Sequence, residues 1–98
     1  MIEQVREELK SNKGKLSFPF ISRLAEEGTI TYLHPTQNMR LCIITLKSGH
    51  EVIGVAQVLD DANDVEEIGN SIAYSNAVNE LWKVVGAVAK IAPAKAVM

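Results

Sequence analysis

The residues that could do chemistry in this chain of 98 residues are few and dispersed. Its two histidines, His34 and His50, both fall at predicted turns, where a histidine is more often a surface residue than a catalyst. No nucleophile and base can be paired around either histidine by their spacing. The sequence therefore predicts a protein that binds a partner without catalysis and needs no cofactor.

A group of acidic residues lies in the segment 60–67. It consists of Asp60, Asp61, Asp64, Glu66 and Glu67. A calcium loop would need an oxygen ligand and a glycine where this chain has Ala62 and Val65. We interpret the segment as a solvated loop that leads into a helix, and we expect no metal site. Zinc-ligand spacing, a P-loop and a dinucleotide-binding glycine pattern are also absent from the sequence.

A small group that could hold an anion is Lys47 with Gly49 and His50, at a predicted hairpin tip. The same residues are equally typical of a plain turn. A formal net charge of −2 and a pI near 5.6 argue against a protein that neutralises a nucleic-acid backbone. We therefore expect no nucleic-acid partner, whereas a small anionic ligand stays open because a few local cations suffice for it.

The single cysteine, Cys42, lies within an apolar run at 41–46. It cannot form an intramolecular disulfide, and its apolar neighbours favour a buried thiol over a reactive one. No apolar run reaches the roughly 18 residues that a membrane span needs, and the charged N-terminus is unlike a signal peptide. We therefore expect a protein of a reducing cytoplasm with no membrane partner.

Three β-strands are predicted in the middle of the chain. Apolar and β-branched residues mark them at 29–33, 41–46 and 52–59. His34-Pro35 and Asn38 predict a turn between the first two strands. Residues 47–50 predict a hairpin between the second and third, with Gly49 supplying the positive φ that such a turn needs. The two later strands are therefore expected to pair antiparallel.

Helices are predicted on both sides of these strands. Short helices are expected at 1–11 and 19–27, and a long helix at 65–90. Asp64 is a suitable N-cap for the long helix, and Pro93 is expected to limit its extension. The predicted fold is α+β, a small antiparallel sheet packed by one long C-terminal helix, with short N-terminal helices. We divide this single domain, residues 1–98, into a helical extension at 1–28, a sheet-plus-helix core at 29–91 and a tail at 92–98.

One face of the long helix is apolar, with Ile68 and Ile72 among its residues, and is expected to pack on the sheet. Its small residues, Gly69, Ala73 and Ala77, would let the two backbones approach closely. Asn76 interrupts this face, and a buried amide is costly unless it is hydrogen-bonded. Its partner is either the backbone of a strand or loop, or a ligand.

A second apolar line on the same helix consists of Tyr74, Val78 and Trp82, four residues apart. A helix that is apolar over so wide an arc is rarely covered by one small sheet. We expect a homo-oligomer whose interface includes these three residues. The alternative is that the N-terminal helices fold back over the line, and both explanations can hold together.

Three parts of the chain combine into a recognisable pattern. They are the strand–hairpin–strand segment 41–54, the loop Asp60-Asp61-Ala62-Asn63, and the helical pattern Gly69-x-x-x-Ala73-Tyr74-x-Asn76-Ala77 with Trp82. Together they resemble a widespread family of small bacteriophage proteins that is usually described only as uncharacterised early proteins. The helical pattern is the most specific of the three. The resemblance covers the second half of the chain and leaves residues 1–40 unmatched.

Relatives of that family counter the Thoeris defence system. As oligomers they sequester a cyclic ADP-ribose isomer, and in some cases cyclic oligonucleotides, that the host makes as an immune signal. The resemblance implies that this chain is a phage protein of the host cytoplasm that captures such a nucleotide without catalysis. Capture needs a planar group to stack on the base and donors for the phosphates. The candidate ligand-binding residues are Lys47, His50, Asn63 and Asn76, of which Asn63 is the family-like loop asparagine and His50 replaces the family's aromatic.

The chain also departs from the family pattern. Asp61 replaces a loop proline and adds negative charge, while Asn70 and Ser71 stand where the family's helix carries basic residues. The acidic stretch at 60–67 and the N-terminal extension favour an alternative function, a phage protein that binds and inhibits a host protein through an acidic surface at 60–67. A third interpretation is a structural accessory protein with no separable ligand.

Overall fold

The computed structural model describes residues 1–57 and 66–97, with side chains described as far as residue 91. The elements in chain order are α1 (Ile2–Ser11), α2 (Phe18–Glu27), β1 (Thr29–Thr36), β2 (Met39–Thr45), β3 (Glu51–Gln57) and α3 (Glu66–Val97). The strands form one antiparallel sheet in the order β1-β2-β3, and α3 packs on it. The predicted α+β class, with its small sheet, long C-terminal helix and short N-terminal helices, is confirmed. The expected N-cap Asp64 and the candidate Asn63 lie outside the described residues.

The start of α2 is fixed by a side-chain cap. The hydroxyl of Ser17 accepts a hydrogen bond from the backbone N–H of Phe20 at 3.3 Å, which satisfies one of the free donors of the first turn. The same hydroxyl donates to Glu8 at 2.7 Å and so ties α2 to α1. Pro19 occupies the first turn, where its missing N–H costs nothing. These contacts hold the two short helices against each other.

The β2–β3 connection is the hairpin that the sequence predicts. Gly49 has φ +93°, and its N–H donates to the carbonyl of Leu46 at 2.8 Å. The β1–β2 turn lies at 37–38 instead of at His34-Pro35, because β1 continues to Thr36. An edge strand tolerates a proline because one side of it forms no ladder. The register shifts between Leu33 and Thr36, where the proline lies.

The face of α3 that meets the sheet is narrower than the apolar stripe in the sequence. Its buried small residues Ala73 and Ala77 lie against Gly54 of β3. Ile68 and Ile72, expected on this face, are 57% and 49% exposed. Because Ala73 and Ala77 are small, the backbones of α3 and β3 approach most closely along the line of these two residues. The isoleucines therefore lie at the margin of the contact between helix and sheet. The buried residues further along the same face are Leu81 and Val85.

The long helix also extends further than expected. Pro93 was expected to end it near residue 90, but the helical backbone of α3 continues to Val97. A proline inside a helix removes one i to i−4 hydrogen bond and crowds the preceding turn, and it can bend a helix without ending it. The predicted tail at 92–97 is therefore helical.

The N-terminal helices contribute to the core and pack against α3. Val5 of α1 and Ile21 of α2 are fully buried. On α3, Val78 is only 4% exposed, and Tyr74 and Trp82 are partly buried against the same core. The folding back of the N-terminal helices over this line, expected as the alternative to an oligomer, therefore occurs within one subunit. An oligomer interface at Tyr74, Val78 and Trp82 stays a prediction.

Candidate functional site

The hairpin tip presents two of the predicted ligand-binding residues to solvent. Lys47 and His50 are both exposed, and the carbonyl of His50 accepts a bond of 2.9 Å from the N–H of Leu46, which closes the hairpin. A cavity beside Lys47, bordered by Leu24 and Glu27, measures about 10 Å³. That volume admits no more than one water molecule. The tip is thus an open surface and offers a nucleotide no enclosure.

Asn76 is held by the sheet. Its side-chain nitrogen donates to the carbonyl oxygen of Val55 at 2.7 Å. The residue is exposed, and the expectation of a buried amide was wrong because the helix line that faces the sheet runs through Ala73 and Ala77. Of the two partners expected for the amide, the structure shows the strand backbone.

Lys47, His50 and Asn76, the predicted ligand residues that the structure describes, do not converge on one pocket. Val55, to which Asn76 is hydrogen-bonded, lies five positions after His50, and this corresponds to about 16 Å of extended chain. Lys47 and His50 therefore share the hairpin tip, while Asn76 lies at a distance from them. Asn63 falls in the segment 58–65, outside the described residues.

Packing accounts for the glycine and alanine positions of the most specific sequence pattern. A Cβ atom on Gly54 would overlap the carbonyl of Ala73 and the backbone of Ala77. A Cβ atom on Gly69 would overlap the aliphatic part and Nε of Arg40. Arg40 is 7% exposed and lies on the helix side of β2. The pattern therefore indicates how α3 seats on the sheet, and its small residues are too deeply packed to contact a ligand.

An aromatic groove between α2 and α3, here called the Phe18–Tyr74 groove, was not predicted. It is lined by Phe18, Tyr74, Ser75, Val78 and Asn79 and has a volume of about 170 Å³. Phe18 is 60% exposed, so one face of its ring is accessible to a ligand. The lining combines two aromatic side chains, Phe18 and Tyr74, with hydroxyl and amide groups and has no charged residue. Such a groove suits a flat, neutral ring with polar edges.

Tyr74 of this groove interacts electrostatically with a second tyrosine, Tyr32 of β1. Burial raises the pKa of Tyr74, and the negative charges of Glu26 and Cys42 raise it further. Burial, Cys42 and Tyr74 raise the pKa of Tyr32 in the same direction. Both phenols are therefore neutral at physiological pH and can donate a hydrogen bond. Tyr32 is 44% exposed, so its ring is also accessible.

A second groove, between α1 and α2, is acidic. Glu3, Glu7 and Glu8 line it together with Arg23, and its volume is about 430 Å³. Glu3 also forms an exposed ion pair of 3.2 Å with Arg6. An open surface of this charge suits a basic partner better than an anionic nucleotide.

Other kinds of site find no support in the described part of the chain. No three histidine, cysteine or acidic side chains are grouped there as metal ligands, and the acidic residues 60–64 lie outside it. Cys42 is buried as predicted, and burial raises the pKa of its thiol. No helix among the described residues has the length and apolarity needed to cross a membrane.

Comparison with known proteins identifies a family that covers most of the chain. The model of a phage protein (N4 Gp49/phage Sf6 gene 66) family matches residues 5–92. No curated protein and no solved structure matches. The predicted resemblance to a small phage protein family is confirmed, while the link to Thoeris stays a prediction. The match begins within α1, so it includes both N-terminal helices and the Phe18–Tyr74 groove, which the resemblance seen in the sequence did not reach.

Proposed function

Because the chain belongs to the phage protein (N4 Gp49/phage Sf6 gene 66) family, we propose that it is a phage-encoded binding protein that captures a small nucleotide signal in the host cytoplasm. The observation that supports this most is the Phe18–Tyr74 groove, which offers a base an exposed aromatic face within a polar frame. Capture is stoichiometric, and no bond of the ligand is broken.

The groove would recognise the base of the nucleotide. Stacking of a base on an aromatic side chain contributes about 1–3 kcal/mol and does not depend strongly on which base it is. Ser75 and Asn79 line the groove beside Phe18 and can bond to the polar edge of a ring. At about 170 Å³ the groove is smaller than the roughly 300–1,000 Å³ of a site that encloses a drug-sized ligand. It is therefore a site for one base of a cyclic nucleotide.

The phosphates of the ligand would be met by cations outside the groove, because its lining is neutral. Lys47 and His50 remain candidates for this role, since both are exposed. In one subunit they lie at the hairpin tip, apart from the groove. A base-directed site predicts that affinity depends only weakly on salt, in contrast to a site dominated by phosphate contacts.

Calorimetric titration tests the proposal. Cyclic ADP-ribose isomers and cyclic oligonucleotides form the ligand panel, and at least one of them should bind with a stoichiometry near one per groove. Phe18→Ala should weaken that binding by about 5- to 150-fold, the equivalent of about 1–3 kcal/mol. Ile91→Ala is a matched control, because Ile91 is 56% exposed but does not line the groove. Absence of heat with the whole panel at high concentration would refute the proposal.

The acidic groove between α1 and α2 favours a second candidate, inhibition of a host protein with a basic surface. Glu3 and Glu7 are both exposed there, and acidic side chains steer and orient such a partner. The double variant Glu3→Gln/Glu7→Gln should lose a host protein that the wild-type chain retains from lysate. The variant Glu26→Gln/Glu51→Gln is the charge-matched control, because both residues are exposed and neither lines this groove. If the wild-type chain retains no host protein, this candidate fails.

A further inference from the structure

One face of the sheet is apolar, and within the part of the chain that the structure describes no helix lies over it. Alternation along β2 and β3 turns every second residue away from α3. We call these apolar side chains the open sheet face, which consists of Leu33, Met39, Leu41, Ile43, Ile53 and Val55. Three of them are strongly exposed, Leu33 at 44%, Ile53 at 47% and Val55 at 39%. Large apolar side chains grouped in this way on a small protein mark an interaction surface.

The strand register makes this surface continuous. Leu33 of β1 pairs with Leu41 of β2, which pairs in turn with Val55 of β3, so that one row of apolar residues crosses the sheet. In the next row Ile43 pairs with Ile53. Side chains in register on one face of a sheet lie about 4.5–5.5 Å apart and contact one another. The centre of the face is therefore apolar without interruption.

We propose that the open sheet face binds the same face of a second copy of this chain. Two sheets pack face to face at about 10 Å with their strands rotated by about 30°. A two-fold axis near Ile43, the central residue of β2 on this face, would place each apolar row against its symmetry mate. The inference does not depend on the proposed ligand, and it concerns a different surface from the Tyr74, Val78 and Trp82 line.

The charges on this face favour a second copy. Among the residues of the three strands that face away from the helices, Glu51 alone is charged. It lies in the end row of the face and accepts a hydrogen bond of 2.8 Å from the hydroxyl of Thr45. Two identical faces can therefore meet without like charges opposed at their centre. A partner recognised through charge would find few groups to bind here.

The edges of the sheet favour contact through the face. At the β3 edge, the side-chain nitrogen of Asn76 donates a hydrogen bond to the carbonyl oxygen of Val55. That oxygen is therefore already paired and does not accept freely from a neighbouring strand. At β1, the opposite edge, Pro35 and the register shift after Leu33 interrupt a regular ladder. Prolines and irregular edges are the usual means by which proteins prevent strand-to-strand association. Extension of the sheet into a neighbour is thus disfavoured, whereas the described residues leave Leu33, Ile53 and Val55 of the face exposed.

The size of the face predicts the strength of the dimer. Three strands about 4.8 Å apart and seven residues long span roughly 15 by 23 Å, so two copies bury about 700 Å² in projection. Specific stable interfaces begin at about 1,000–1,200 Å² of total accessible surface. We therefore expect a dimer that forms with rising concentration and dissociates on dilution.

Sedimentation equilibrium over a concentration series from about 1 μM to 1 mM tests the proposal. The wild-type chain should approach twice its monomer mass of 10.7 kDa. Ile53→Glu should stay monomeric, because a carboxylate would be buried at the centre of the interface. Ile72→Glu is the matched control, since Ile72 is 49% exposed but lies on α3, and it should dimerise like the wild type.

Val55→Thr provides a second variant of similar shape, and circular dichroism establishes that each variant is folded. A folded Val55→Thr should weaken the dimer at least threefold. A wild-type chain that is monomeric over the whole series overturns the proposal, whichever other molecule covers the face. An Ile53→Glu variant that dimerises like the wild type overturns it as well.

Discussion

Gly54 of β3 lies directly beneath the carbonyl of Ala73 in α3, so close that a single added methyl group would overlap it. This contact fixes the height of α3 above the sheet. It also explains why the helix line that faces the sheet is built from glycine and alanine, and why the larger isoleucines lie at its margin.

Gly54→Ala should destabilise the protein by about 2–4 kcal/mol, because the methyl group meets backbone that cannot move aside. Urea denaturation followed by circular dichroism gives the free energy of unfolding. Gly86→Ala is the control, since nothing lies within 4 Å of its new methyl group. That variant should be neutral or up to about 1 kcal/mol more stable, because alanine favours the helix. Equal losses in the two variants would contradict the close contact.

Substitutions at Asn76 and at Asn79 should affect different properties, the first the stability of the fold and the second the binding of the nucleotide. Asn76→Ala should lower the free energy of unfolding by about 0.5–1.5 kcal/mol, because it removes the bond to Val55, and it should leave nucleotide affinity unchanged. Asn79→Ala should weaken binding, because Asn79 lines the Phe18–Tyr74 groove, while stability changes little. Calorimetry and urea denaturation measure the two effects. A loss of affinity in Asn76→Ala alone would restore Asn76 as a ligand contact.

Loss of the Ser17 cap of α2 should lower both the stability of the protein and the affinity of the Phe18–Tyr74 groove for a nucleotide. Ser17→Ala removes the acceptor for the Phe20 N–H and the donor to Glu8, and we expect a loss of about 0.5–2 kcal/mol. Phe18 directly follows the cap, so nucleotide binding should weaken in the same variant. Ser71→Ala, at an exposed position of α3, should change neither property. Unaltered stability in Ser17→Ala would show that the cap is dispensable.

Stability should fall in alkaline solution. Burial raises the pKa of Cys42 above its ordinary 9.0, so the unfolded chain loses this proton at lower pH than the folded chain does. The stabilisation is complete below about pH 9 and is lost as pH rises through the folded pKa. Urea denaturation at pH 7.5, 9 and 10 should show the decline, and Cys42→Val should show less of it. A decline of equal size in Cys42→Val would assign the effect to other groups, first of all to Tyr74.

Much of the fold follows from local patterns in the sequence. Alternation predicts β2 and β3, Gly49 predicts their hairpin, and the apolar stripe predicts that α3 covers the sheet. Other features depend on tertiary context that no local pattern contains. Pro35 lies within β1 because the strand is at an edge, and the helix continues past Pro93.

The site was harder to predict than the fold for the same reason. The residues quoted for the family resemblance turn out to seat α3 on the sheet, as Gly69 and Asn76 do. In the sequence, Phe18 is an apolar residue just before the start of a predicted helix, where a buried position would be expected. Only the packing of α2 on α3 shows that its side chain is exposed. An aromatic residue next to an N-cap serine is the one sequence signal that could have directed attention to it.

Native mass spectrometry of the protein purified from phage-infected, signalling-competent cells tests the capture of a nucleotide most directly. The account predicts that the wild-type chain retains an added mass of nucleotide size, that Phe18→Ala loses it, and that Ile91→Ala keeps it. A wild-type chain that carries no small molecule, or a Phe18→Ala variant that retains the same mass, would contradict it.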